Sequence, residues 1–485
     1  MIDTQAIRNK TLNLAMRGQL TEQLPEDETA EELYDQITKE KARLVKEKKI
    51  KKTKPIGDIS YEDTPFELPD NWKWVYFGEI FSHNTGKALN SSNKEGNLLE
   101  YITTSNMYWD HFELDNLKKM YFKDDEIEKC TIRKGDLLIC EGGDIGRSAI
   151  WPFSYEMRIQ NHIHRLRPYL STLSPVFYYY VMRLYKSINM ISGQGIGLQG
   201  FSSKRVHSLV VPLPPAAEQT RIVEKIEAIF EILDRIDTLQ EQYVSNQEAL
   251  KSKLIDAAIQ GQLTEQLPED GTSEEIYKQI QKEKNKKIQN GKIKKTKSMP
   301  EIKEEEIPFC ISNNWRWCRL EEIFNFIDYR GATPKKISEG VPFVTAKNVR
   351  QGYTDYSIKE YISEEDYVKR QSRGISHKGD LLFSTEAPMG YAAIADLERF
   401  SAGQRLITLQ QYTENNYLDN KYYMYCIAAR FFQKQLDEKC SGTTVKGIKA
   451  SRLKLFLIPL PPLDEQQRIA KKIDELLQYC KKNAE

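Results

Sequence analysis

From Ala216 to Leu263, apolar residues fall at Ile222, Ile226, Ile229 with Phe230, Leu233, Ile236, Leu239, Tyr243, Leu250, Leu254 and Ala257 with Ala258. Steps of three and four place them on one helical face. Pro214 and Pro215 stand just upstream, where proline suits a helix start, and Gly261 stands where a C-terminal cap falls. A helix of roughly 46 residues at ~1.5 Å each reaches ~70 Å. That is long for a globular helix, and the heptad-like spacing predicts a coiled coil.

Shorter helical patterns are "EELYDQITKEKARLVKEKK" from Glu31 and "EEIYKQIQKEKNKKIQN" from Glu274. Two more, "SPVFYYYVMRLYKSI" and "NKYYMYCIAARFFQKQL", interrupt short strand-like runs: "GDLLIC", "HIHRLRP", "RLITLQ" and "KLFLIPL". Loops rich in Gly, Asn and Ser separate them. Each mixed stretch predicts an α+β domain of about 150 residues.

The chain also repeats itself. "GQLTEQLPED" stands at Gly18 and again at Gly261, an offset of 243 in 485 residues. The offset holds through the shorter helices and through "NWKW" and "NWRW", which carry Trp72, Trp74, Trp315 and Trp317. "KGDLLICEGGDIG" from Lys134 resembles "KGDLLFSTEAPMG" from Lys378, and the copies converge again at "PLPPAAEQTRI" and "PLPPLDEQQRI" with an offset of 247. This period is far above that of solenoid repeats, so a whole domain is duplicated. Matching ends around divergent middles predict a shared task for the ends and different tasks for the middles.

The long helix has a divided counterpart. Leu463 to Glu485 matches its first half and Met1 to Gly18 its second; only Leu239 to Tyr243 lacks a partner. If the chain ends meet, two long antiparallel helices separate two globular domains in a closed ring with approximate two-fold symmetry.

Charge changes this picture little. Charged residues are 29%, apolar residues 40% and the net charge is +1, so a nucleic-acid contact must come from local groups. Seven scattered cysteines without a CxxC pair predict free thiols in a reducing cytoplasm. No apolar run approaches the ~18 residues of a membrane span, and "MIDTQAIRNK" has no apolar signal core.

Polar loops occupy corresponding places in the two middles. They are "TGKALNSSNK", "TTSN" and "GQGIGLQGFSSKR" in the first, and "YRGATPKK", "TAKN" and "SGTTVKGIKAS" in the second. Such side chains suit base edges and phosphates. The candidate DNA-binding residues are Lys87, Asn90, Thr103, Ser105, Asn106, Arg147, Gln199, Lys204, Arg330, Thr333, Thr345, Lys347, Asn348, Thr443, Thr444 and Lys446. The runs Lys48 to Lys54 and Lys292 to Lys297 read as solvated linkers with a secondary place near phosphates.

Catalytic signatures are missing. There is no GxxxxGK[ST] loop, no HExxH and no Asn-Pro-Pro-Tyr tetrapeptide; no dinucleotide-type GxGxxG follows a strand, and the glycine-rich "GQGIGLQG" from Gly193 does not suggest a dinucleotide site. His162 and His164 would share one strand face, but with six histidines in all a metal site is not expected. "KGD" reads as a turn into a core strand, and Glu141 and Glu386 beyond it make a weak nuclease signal.

The paired PLPPxxEQxRI segments, NWKW/NWRW, KGDLL and the tandem layout resemble the specificity subunit of type I restriction-modification systems, over essentially the whole chain. The resemblance implies two target recognition domains, each reading half of a split sequence in double-stranded DNA. It implies helices that set the spacer and dock two methyltransferase subunits, with restriction subunits joining through the complex. Methyl transfer from S-adenosylmethionine and ATP hydrolysis would belong to those partners, leaving this chain non-catalytic, without cofactor, and cytoplasmic. The expected layout is a helical region over 1–64, a first recognition domain over 65–215, a central helical region over 216–307, a second recognition domain over 308–462 and a closing helix over 463–485. The alternative is a coiled-coil scaffold with two ligand- or peptide-binding heads and no DNA selectivity.

Overall fold

The computed structural model describes residues 1–89, 94–191, 200–295, 298–329, 333–413, 417–442 and 446–482. It divides into two compact units, Met1–Glu241 and Gln242–Glu485. The expected long helix is continuous over Ala216–Ile259, 44 residues, and the unit boundary falls inside it.

In the first unit the strands are β1 (Lys73–Tyr76), β2 (Phe81–Thr85), β3 (Asn97–Ile102), β4 (Lys118–Phe122), β5 (Thr131–Ile132), β6 (Leu137–Cys140), β7 (Ser148–Ile150), β8 (Met157–Ile159), β9 (Ile163–Pro168) and β10 (Val210–Leu213). One sheet is antiparallel, in the order β2-β9-β6-β7. The second runs β4-β3-β8-β5, with β3 and β8 parallel. β1 and β10 form a separate antiparallel ribbon. All four residues of β6 are buried, as expected of a central strand covered on both faces. The "KGD" turn leads into it as read: Gly135 takes φ +89°, which favours glycine, and Asp136 accepts from Arg133 N and pairs with Arg167 at 2.6 Å.

Helix Pro175–Ser187 starts at the Ser174 cap with proline in its first turn. It buries Phe177 and Tyr178 edge-on to each other, and Tyr178 also packs against Phe77 and Phe81. Each such ring contributes roughly 1.5–3 kcal/mol of burial. Helix Ala30–Lys46 opens with a capping box at Thr29 and Glu32. Its Lys41 ammonium donates to Gly78 O at 2.9 Å beneath the Tyr169 ring. The N-terminal helix Thr4–Met16 lies antiparallel to the first part of the long helix. Ile2 N donates to Gln240, Thr4 Oγ1 to Asp237, and Arg8 pairs with Asp234 at 2.5 Å.

The second unit repeats this plan. Its strands are β11 (Arg316–Arg319), β12 (Phe324–Asp328), β13 (Lys336–Ile337), β14 (Val341–Val344), β15 (Val349–Arg350), β16 (Tyr353–Thr354), β17 (Tyr361–Ile362), β18 (Leu381–Ser384), β19 (Ala392–Ile394), β20 (Ser401–Ala402), β21 (Leu406–Gln411) and β22 (Leu457–Leu460). The orders are β12-β21-β18-β19 and β13-β17-β14-β20, with a β11–β22 ribbon and a β15–β16 hairpin. The edges of the mixed sheet differ: β5 flanks β8 in the first unit, whereas β13 flanks β17 in the second. In helix Ser273–Gln289, Lys284 donates to Glu321 O at 2.8 Å beneath Tyr412, reproducing Lys41 at the same offset. Ala258 and Ile259 join the core that holds Ile469 and Ile473 of the C-terminal helix Leu463–Lys482.

One expected helix is corrected. "NKYYMYCIAARFFQKQL" forms two helices, Asn420–Ala428 and Arg430–Lys439, because Ala429 adopts extended backbone (φ −68°, ψ 147°). The next helix then begins with Arg430, whose backbone N–H and guanidinium are both taken by Asp256.

Candidate nucleic-acid interface

In the first unit, hydrogen bonds gather several separate loops at one end of the two sheets. Gln160 N donates to Ile102 O at 3.0 Å, joining the β8–β9 turn to the end of β3. Glu141 N donates to His162 O at 2.9 Å and Phe201 N to Glu141 O at 2.8 Å, adding the loops after β6 and before β10. Asn161 N donates to Lys87 O at 3.0 Å, adding the loop after β2.

The second unit has the same lock. Gly403 N donates to Val344 O at 2.6 Å, Thr385 N to Arg405 O at 2.9 Å and Ile448 N to Thr385 O at 3.0 Å. The equivalences are therefore Ile102 with Val344, Gln160 with Gly403, His162 with Arg405, Glu141 with Thr385, and Phe201 with Ile448. The backbone bonds are matched, but most of the side chains they carry differ.

A buried histidine pair braces the first cluster. His164 lies on β9 with its Nε2 2.7 Å from Phe201 O, and its Nδ1 is 3.0 Å from His83 Nε2. A carbonyl only accepts, so His164 carries its proton on Nε2 and His83 donates to its Nδ1. Burial and then the neighbouring imidazole push His83 down to about 3, and burial lowers His164 also, so both rings stay neutral. His162, expected on the same strand face, instead lies exposed in the turn beside Glu141, at 3.5 Å.

A second matched node ties the long helices to the "GQLTEQLPED" loops. Trp72 Nε1 donates to Glu218 and Trp315 Nε1 to Glu465, both at 2.8 Å. Arg221 pairs with Asp27 and Arg468 with Asp270, both at 2.5 Å. The Gln219 carboxamide accepts from Ser174 N, and that of Gln466 accepts from Asp419 N. Glu218, Gln219, Glu465 and Gln466 have no exposed surface. The motif that marks both copies is thus an internal fastening.

The family model described as type I restriction modification DNA specificity domain matches residues 69–242 and 312–484. The chain belongs to this family. The specificity subunit of the Escherichia coli type I restriction enzyme EcoAI is 29% identical over 544 positions, which span 98% of this chain and 89% of that protein. That of EcoEI, also from Escherichia coli, is 26% identical over 545 positions, with the same coverage. Among solved structures, a chain from a study of complex assembly and conformational transition of the type I restriction-modification system is 20% identical. It has a TM-score of 0.57 and covers 86% of this chain and 92% of that one. The HsdS subunit from Thermoanaerobacter tengcongensis shows the same fold at 20% identity and a TM-score of 0.50, covering 86% and 91%. As a type I specificity chain, this protein recognises DNA sequence.

The specificity chain uses the sequence-predicted residues in two ways. Asn106 and Asn348 organise turns. Their carboxamide oxygens accept from Thr103 N and Thr345 N at 2.9 Å, and their amides donate to Glu113 O and Asp355 O. Asn348 is only 2% exposed. The Lys87 ammonium is bound to Glu126 and to Tyr121 O. Arg147 donates to Thr104 O, and Ser105 Oγ lies 2.7 Å from Thr103 Oγ1. Lys204, Thr333, Lys347 and Lys446 are exposed. Asn90, Gln199, Arg330, Thr443 and Thr444 lie outside the described residues.

Residue typing missed the β8–β9 and β20–β21 turns. "QNHI" and "GQRL" keep the offset of 243, from Gln160 to Gly403, yet differ in side chain. That combination was the available signal. Among the described residues no three His, Cys, Asp or Glu side chains gather as for a metal ion, and no helix is long and apolar enough to cross a membrane.

Proposed function

We propose that each unit reads one half of a bipartite double-stranded DNA site, within a complex whose methyl transfer and cleavage reside in other subunits. The observation that carries this reading is the matched lock with differing side chains. Two readers built on one frame but presenting His162 in one case and Arg405 in the other suit two different base sequences. The turn asparagines, equal in both, belong to the frame.

The helices of this reading dock two methyltransferase subunits, with restriction subunits joining through the assembly, and the long helix sets the spacer. Support comes from matched exposed apolar side chains. Ile7 (40% exposed) corresponds to Leu250 (45%), and Ile232 (61%) to Tyr479 (67%). Equal apolar positions in both copies suit two copies of one partner.

Exchange of residues 85–208 for the corresponding segment of another specificity chain tests the half-site reading. Mapping of methylated bases in cells with the partner subunits should show one half of the motif changed and the other retained. Change in both halves would overturn it, as would change in neither.

A further inference from the structure

We propose that Arg405 is a base-reading residue of the second unit and that it selects a guanine. This rests on the reading that the second unit recognises one half of the DNA site, and it names the side chain and base for one position of that half.

Arg405 stands in the β20–β21 turn, whose backbone is fixed on two sides. Its carbonyl accepts from Thr385 N, and Gly403 two residues before donates to Val344 O. A Cβ on Gly403 would lie 3.0 Å from Thr345 Cγ2, so the turn sits close against the Thr345–Asn348 turn. The side chain points away from this frame, 61% exposed. Its Nε is held 2.9 Å from Glu386 Oε2. Glu386 is itself fixed by an isolated bridge to Gly447, where a Cβ would come within 3.0 Å of the Glu386 Cγ.

With Glu386 paired on the Nε side, the two terminal nitrogens remain as a parallel fork without a partner among the described residues. A guanidinium fork matches O6 and N7 on the major-groove edge of guanine. A carboxylate beside the third nitrogen biases the orientation of the fork before DNA arrives, which lowers the ordering cost of binding. Nearby arginines lack this freedom: Arg350 donates to Lys347 O and Asp355, and both terminal nitrogens of Arg399 are spent on Glu364. In the first unit the equivalent His162 stands near Glu141 through Nδ1 and offers one remaining ring nitrogen. It cannot form a fork, so the two half-sites should differ at this base pair.

The test uses the full chain assembled with its methyltransferase subunits. Competition binding is measured with duplexes varied one base pair at a time across both halves. The natural chain should require G·C at one pair of the second unit's half. R405A should reduce discrimination at that pair alone by about tenfold to a hundredfold. R405Q should move the preference there towards A·T, since a carboxamide matches adenine, and it guards against a folding defect in R405A. Unchanged base preferences in both variants would overturn the assignment. So would uniform weakening on all sequences with a shallower salt dependence, which marks a phosphate contact. Exchange of the whole second reading domain separates the two claims. If that exchange alters half of the motif while both Arg405 variants do not, only the assignment of Arg405 fails. If it alters nothing, the half-site reading fails.

Discussion

The Trp315 indole donates to the buried Glu465 carboxylate at 2.8 Å, and the Trp72 indole holds Glu218 at the same distance. The two nodes are not equally supported. Glu218 also accepts from Gln23 at 3.0 Å and from Thr21 at 3.4 Å, whereas Glu465 Oε1 has no hydrogen-bond partner among the described residues. W315F should therefore cost more than W72F, about 1–3 kcal/mol, because it withdraws a donor from a buried carboxylate with fewer alternatives. Hydrogen exchange of amides in Leu463–Lys482 reads the effect locally. Equal costs for the two variants would refute this account of the node.

Burial raises the Glu465 carboxyl above its ordinary range, against the Trp315 hydrogen bond. A group with a raised folded-state value stabilises the fold fully below its unfolded value and loses that contribution as pH rises through the folded value. The second unit should accordingly lose this increment between the ordinary glutamate range and the raised one. E465Q should flatten that part of the stability–pH curve, as followed by thermal unfolding from pH 4 to 7. A curve identical to that of the natural chain would count against it.

Asp270 behaves in the opposite sense. The Arg468 hydrogen bonds hold its carboxyl below the usual range, so its contribution is present above the unfolded value and disappears as pH falls through the folded one. R468M leaves the nearly buried Asp270 unpaired and should cost roughly 1–3 kcal/mol at neutral pH, below the cost of a fully buried pair because Arg468 is partly solvated. D270N in the R468M background should restore part of that loss, measured by denaturant unfolding.

The sequence announced the fold through long patterns. Apolar periodicity marked the 44-residue helix, and the offset of 243 marked two similar units. The Ala429 break was hidden because its flanking residues keep a helical pattern and the cause, Asp256, lies 174 positions from Arg430. The candidate interface was harder to read. Asn, Thr and Ser are suited to base edges, but the same groups cap turns, and Asn106 and Asn348 do the second. Residues kept equal in both copies proved to be frame, as with Glu218 and Glu465. His162 and Arg405 keep the offset of 243 with unlike side chains, but that they share a backbone lock emerged only once the pairing of strands was known.

Lys347 is exposed on the "TAKN" turn beside the second cluster. A flexible ammonium there suits phosphate better than a base edge, since it offers a point charge without a planar fork. K347A should weaken binding by a similar factor for every half-site sequence and reduce the slope of log K against log salt by about 0.9. Titrations of the assembled complex at several salt concentrations check this. Loss confined to one sequence would make Lys347 a base reader instead.

The matched apolar positions give the sharpest test of partner docking. Ile232 and Tyr479 are more than half exposed at equivalent places on the long and C-terminal helices, where solvent alone would favour polar residues. A carboxylate at either place should remain solvated in the isolated chain, so I232E and Y479E should fold and purify as the natural chain does. Placed under a partner, the same charge would be buried without a counter-ion, a heavy cost at an interface core. Each single variant should then bind one methyltransferase subunit with near-natural affinity and lose the other, and the double variant should lose both. Mass measurement of complexes formed with excess partner reads the stoichiometry directly. Two partners retained on the double variant would place docking elsewhere, and loss of both from a single variant would show that the two platforms do not act independently.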